Sequence, residues 1–149
     1  NISDEWTLHN EGGETWSVFD VIGHLIHGEK TDWIPRIEII LSENPNKTFV
    51  SFNRFAQFQE SNGKTLPQLL DEFKQLRQQN LEFFNQKNIS IKELELKGIH
   101  PVFGKVTLSE LISTWTVHDL NHLAQISRIM AKQYKNEVGP WLEYLRILK

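Results

Sequence analysis

The chain has no cysteine. That removes disulfide scaffolds, thiolate nucleophiles and cysteine-ligated zinc together. It has no apolar run near the roughly 18 residues of a membrane helix; Ile39-Ile40-Leu41 is typical of its longest. It has no basic excess either. The formal net charge is −3, where a dedicated nucleic-acid binder usually carries a positive one. Asn1-Ile2-Ser3-Asp4-Glu5 has neither the basic end nor the apolar stretch of a secretory leader. The expectation is a cytoplasmic protein that acts on a small molecule and on neither nucleic acid nor membrane. The chain opens on Asn1 and its only methionine is Met130, which is compatible with a fragment; if it is one, an element of the fold could lie upstream.

What is present suits one domain over residues 1–149, long enough to bury a core. Hydrophobic residues make up 39% and charged residues 23%, a globular rather than a disordered balance. Five tryptophans and nine phenylalanines supply large side chains for a core or a pocket. The six histidines are the unusual surplus.

The hydrophobic pattern predicts helices near 17–42, 66–86 and 108–134. Ser17 with Asp20 and Thr107 with Glu110 have capping-box spacing. Thr65 caps the middle helix, with Pro67 in its first turn. On the first helix Val18, Val21, Ile22, Leu25, Glu29, Trp33 and Ile40 share one side. Pro35 should kink or restart it near Trp33-Ile34. Phe49, Phe52, Phe55 and Phe58 read as a loop pinned to the core by its aromatics. The stretch 89–96 reads as a strand or a turn of helix, 97–104 as a constrained loop, and Pro140 as the start of a short helix with Trp141, Leu142, Leu145 and Leu148 inward. The fold class is all-α, an up-down helical bundle.

The third helix carries the most specific signal. Leu111, Trp115, His118, His122, Gln125 and Ile129 are spaced 4, 3, 4, 3, 4, the seam a helix presents to the middle of a bundle. The seam is apolar at both ends and polar in the middle. Buried polar groups without partners cost about 1–3 kcal/mol each, so something must satisfy them. One divalent metal ion would, because histidines at i and i+4 share a helix face and can ligate a single ion. A third ligand should come from a facing helix. His24 and His27 are both placed for it, and the periodicity does not choose between them. His9 and His100 read as structural or solvent-facing. Asp119, Asn121, Gln125 and Glu29 are near enough in sequence to orient the imidazoles; of these Gln125 lies on the site face, Asp119 points away, and Glu29 reads as a surface carboxylate. All-imidazole ligation suits zinc or nickel first, then iron, manganese or copper. Binding should weaken as pH falls through about 6, since imidazole must be neutral to ligate.

Trp16-Ser17, Gly23-His24-Leu25 and His118-Asp119-Leu120-Asn121-His122 with Gln125 together resemble the DinB-like superfamily. Asp32-Trp33-Ile34-Pro35-Arg36, His100-Pro101-Val102-Phe103-Gly104, Gln133-Tyr134 and Gly139-Pro140-Trp141 add to the likeness. The resemblance implies a metal-binding four-helix bundle. Its histidine falls eight positions after the Trp, which selects His24, so the implied ligand set is His24, His118 and His122. Two features depart from the pattern. Only fifteen residues precede Trp16, so the N-terminal helix is expected to be absent or truncated. Phe52-Asn53-Arg54-Phe55 carries Asn where the family has Asp.

Three histidines leave an open position on the ion, the arrangement of a catalytic site. The resemblance, which extends to bacillithiol-transferase-like proteins, implies a metal-dependent transferase. Such an enzyme moves a low-molecular-weight thiol such as bacillithiol onto an electrophile. The same ligands would serve a metal-dependent hydrolase with a metal-bound hydroxide, or a non-enzymatic bundle that the metal merely ties together. A homodimer is expected, because a short leader leaves apolar helix faces uncovered.

Overall fold

Three reciprocal caps set the starts of the long helices in the computed structural model, which describes residues 3–149. Asn1 and Ile2, the start of the segment read for a leader, lie outside the described residues. Ser17 caps α2 (Val18–Thr31): its side chain accepts from the Asp20 N–H and the Asp20 carboxylate accepts from the Ser17 N–H. Thr65 and Gln68 do the same for α5 (Leu66–Gln86), and Thr107 and Glu110 for α6 (Leu108–Lys132). Each box satisfies two of the backbone donors that a helix start leaves open. A stub, α1 (Asp4–Leu8), precedes them. Its Trp6 ring packs on Tyr134 with centroids 4.8 Å apart.

The first long helix is interrupted as Pro35 requires. α2 ends at Asp32, which also opens α3 (Trp33–Leu41). Pro35 then falls in the first turn of α3, where its missing N–H costs nothing. A short helix, α4 (Ala56–Glu60), packs on α2 beside Gly23. A Cβ on Gly23 would stand 2.4 Å from Ser61 Oγ, so glycine is what lets α2 and the end of α4 meet.

Two regions differ from the sequence expectation. Lys97–His100 (β1) and Gly104–Thr107 (β2) form an antiparallel hairpin rather than a loop. Thr48 bridges to Ile99 in parallel, and Phe49 N–H donates to the Ile99 carbonyl. Gly98 is obligatory there: a Cβ would stand 2.3 Å from the Phe49 ring. At the C-terminus, 3₁₀ turns at Gly139–Tyr144 and Arg146–Leu148 replace the expected helix. Leu148 is buried, but Trp141 and Leu145 are exposed, contrary to their assignment as inward.

The core is split into two apolar layers. Trp33, Ile37, Ile40, Phe49, Leu108, Leu111 and Trp115 form one, where α3 meets the start of α6. Val21, Leu25, Ile26, Leu69 and Ile129 form the other, among α2, α5 and the end of α6. The middle of α6 lies between the layers, and that is where its histidines are. No helix among the described residues is long and apolar enough to cross a membrane.

Candidate metal centre

α2 and α6 run antiparallel. Glu11, ahead of α2, pairs with Arg128 near the end of α6 at 2.8 Å. Trp33, past the end of α2, stacks on Trp115 in the first half of α6 with centroids 5.8 Å apart. His24, midway along α2, therefore faces His118 and His122, midway along α6. Their Nε2 atoms converge. His24 to His118 is 3.2 Å, and His118 to His122 is 3.1 Å. Among the described residues these three are the group of His, Asp and Glu side chains close enough together to hold an ion.

The spacing fits the chemistry. Three nitrogens on a tetrahedral zinc at 2.0–2.1 Å stand about 3.3–3.4 Å apart. Two lone pairs held at 3.1–3.2 Å repel unless a cation or a shared proton lies between them. Protons are disfavoured here. Burial, followed by the charges of His122 and His118, lowers the His24 pKa to about 3. Burial, then His122, lowers that of His118 to about 4. His122 is lowered too, mainly by burial. All three imidazoles are thus neutral at pH 7, the form that ligates. For His24 and His118, loss of neutrality therefore falls well below the pH of about 6 expected from ordinary imidazole.

Gln125 lies where the seam placed it. Its Oε1 accepts from His122 Nδ1 at 2.8 Å, which leaves the Nε2 lone pair free for a ligand. The Nδ1 atoms of His24 and His118 are buried and have no protein partner among the described residues. The His24 ring is held by packing instead, against Trp16 (4.9 Å between centroids) and Phe52 (5.5 Å). Trp33 lies edge-on to His118 at 5.1 Å.

His27 does not reach the cluster. It is buried on the α4 side of α2 and bonded to Glu60 at 3.0 Å. His9 and Asn121 are exposed. His100 is structural: its Nδ1 accepts from the N–H groups of Val102 and Phe103 and shapes the hairpin turn.

Glu29 corrects the sequence reading. It is not a surface carboxylate but 2% exposed. Its Oε1 accepts from Arg77 at 2.9 Å and from the Trp115 indole at 3.2 Å; its Oε2 accepts from Asn80 at 3.0 Å. Arg77 also grips Asp119, the neighbour of His118, through two bonds of 2.7 and 3.1 Å. Asp119 does pair elsewhere, as expected. α5 gives the cluster no ligand, yet its Arg77 and Asn80 lock α2 to α6 beside it. The sequence held a signal for this: Glu29 and Asn80 both interrupt apolar stripes.

The three histidines line a pocket of about 820 Å³. Toward the start of α6 its walls include Asp32, Arg36, Phe49 and Phe103; toward the end they include Trp16, Arg54, Gln125 and Arg128. Asp32 and Arg36 are buried and paired at 2.6 Å. The loop expected to be pinned by aromatics is pinned by Phe49 and, partly, Phe52; Phe55 and Phe58 face outward.

The DinB superfamily model matches residues 1–126. The chain belongs to the DinB superfamily. Among solved structures it is similar to YfiT from Bacillus subtilis. The TM-score is 0.72 at 15% sequence identity, over 89% of this chain and 75% of that one. That protein is described as a probable metal-dependent hydrolase with an unusual four-helix bundle topology. At this identity the likeness establishes the shared bundle fold. No curated protein matches the chain in sequence.

Proposed function

We propose that His24, His118 and His122 hold one divalent metal ion, zinc or nickel first, and that the chain is a metal-dependent transferase. In this reading a low-molecular-weight thiol is transferred to an electrophile in the pocket. The convergence of three neutral imidazoles at the wall of an 820 Å³ pocket carries the proposal. An ion held there supplies a Lewis acid that stabilises a thiolate or activates water. The protein supplies the rest. His122 is oriented by Gln125, and His24 by Trp16 and Phe52.

The pocket's length favours two reactants. Its lining on α6 runs from Glu110 to Arg128, about 27 Å of helix at 1.5 Å per residue. The histidines sit between the ends, so one molecule can lie on each side of them. The volume falls in the upper part of the roughly 300–1,000 Å³ range of small-molecule sites. A hydrolase is the second reading, favoured by the description of YfiT. The same proposal extends to one domain over residues 1–149, and to a homodimer supported by the outward-facing Val117, Leu120 and Leu123 of α6.

The test adds bacillithiol with monochlorobimane, and separately a nitrophenyl ester, to zinc-loaded and chelator-treated protein. Zinc-dependent adduct formation that His24→Ala abolishes is expected. Zinc-dependent ester cleavage without adduct would select the hydrolase. Loss of thermal stability on chelation with neither activity would leave a metal-tied bundle.

A further inference from the structure

Three arginines line the pocket, and two have a carboxylate partner. Arg36 is paired with Asp32 at 2.6 Å, and Arg128 shares Glu11 with Lys132, each at 2.8 Å. Arg54 has no carboxylate partner among the described residues. It is held instead by ring faces. Its guanidinium carbon lies 5.4 Å from the Phe55 centroid and 6.0 Å from that of Trp16. Such contacts position a cation without cancelling its charge. Trp16 in turn packs on His24. Arg54 therefore presents an uncompensated positive charge one ring away from the triad, with five donors in a fork that matches a carboxylate.

We infer that Arg54 is the anchor for an anionic group, a carboxylate or a group of like charge, on a small molecule that reacts at the triad. The inference rests on reading the triad pocket as the place of reaction. The body of that molecule lies against Trp16 and Phe52, which flank His24 on the same side. Glu14 is the opposing charge on this side that no cation offsets: it lines the pocket, is exposed and has no cation partner among the described residues, whereas Glu11 is paired with Arg128 and Lys132. It biases the site against anions, so removing it should strengthen their binding.

The experiment measures binding of 4-phenylbutyrate and of 4-phenylbutanamide by ligand-observed NMR. It uses chelator-treated and zinc-loaded protein, as wild type, Arg54→Gln, Arg54→Lys, Glu14→Gln and His24→Ala. Metal-free wild type should prefer the carboxylate by tenfold or more. Arg54→Gln should bring that ratio close to one, Arg54→Lys should keep part of it, and Glu14→Gln should hold or enlarge it. Because Arg54 is exposed, the melting temperature of Arg54→Gln should match wild type. Equal binding of the two probes to metal-free wild type overturns the inference, as does a preference that survives Arg54→Gln. So does a preference that appears only with zinc, since the anion would then be on the metal. Zinc content of the same samples reports separately on the ligand set. Protein that binds no zinc but keeps an Arg54-dependent preference refutes the metal and retains the anchor.

Discussion

Each histidine of the triad is kept neutral by burial, reinforced at His24 and His118 by the charge of His122, and this has a thermodynamic cost. His24 and His118 have folded-state pKa values of about 3 and about 4, below the ordinary 6.5 or so of an unfolded imidazole. Below about pH 6.5 the unfolded chain therefore binds protons that the folded chain refuses. Stability rises with pH, and so is lost as pH falls, wherever the unfolded state binds more protons. The metal-free protein should lose stability steadily from about pH 6.5 down to about pH 3, in chemical denaturation followed by circular dichroism. A flat profile over that window would contradict the buried, neutral triad. Gln125 acts through the bond to His122. Gln125→Ala should weaken metal binding by about 10–100-fold, the usual effect of losing a group that orients a ligand. Unchanged affinity in a competition titration would remove Gln125 from that role.

Among the elements, α5 has the clearest testable role, because it links the two histidine-bearing helices without carrying a residue of the triad. Glu29 is satisfied only while Arg77 and Asn80 stay in place. Breaking a buried ion pair from one side costs about 3–5 kcal/mol. Arg77→Met should approach that range. Glu29→Gln should cost less, since an amide keeps some of the hydrogen bonds. Urea unfolding measures both, and a change under about 0.5 kcal/mol for Arg77→Met, the scale of a surface substitution, would show that the link is not structural.

The helices themselves were legible because their signals are local: Ser17–Asp20 and Thr107–Glu110 caps, and apolar stripes of one period. Pro35 announced the α2–α3 break in the same way. The Lys97–Thr107 hairpin was not legible. Its pairing is completed by Thr48 and Phe49, about fifty residues upstream, and its need for Gly98 appears only when the Phe49 ring is in place. Glu29 was misjudged for a related reason. A carboxylate in an apolar stripe can be buried only if a distant residue neutralises it, and Arg77 is that residue. The place of Gln125 beside His122 was readable, since both lie on one helix. The choice of His24 over His27 came from the family's Trp-to-His count and not from periodicity.

At the scale of the molecule, the polar layer is placed between two apolar ones, so the bundle's stability and the site's shape are coupled. A ligand that binds only the folded state stabilises it by mass action. Zinc should therefore raise the melting temperature of wild type and leave that of His118→Ala or His122→Ala near its metal-free value. The outer face of α6 exposes Val117, Leu120 and Leu123 at 62%, 59% and 59%, and a second copy of the chain would cover them. Light scattering at high micromolar concentration is expected to give a dimer that Leu120→Glu dissociates. A monomer under those conditions would contradict the dimer and leave the site unaffected.

The central claim is that His24, His118 and His122 bind one metal ion as a set. It is tested most directly by titrating zinc into wild type, His24→Ala and His27→Ala against a chromophoric chelator. One equivalent should bind to wild type. His24→Ala should lose affinity by orders of magnitude, because two histidines hold zinc poorly. His27→Ala should match wild type, since His27 faces Glu60. Loss of zinc in His27→Ala with retention in His24→Ala would contradict the ligand set, and failure of wild type to compete for zinc at all would contradict the metal centre.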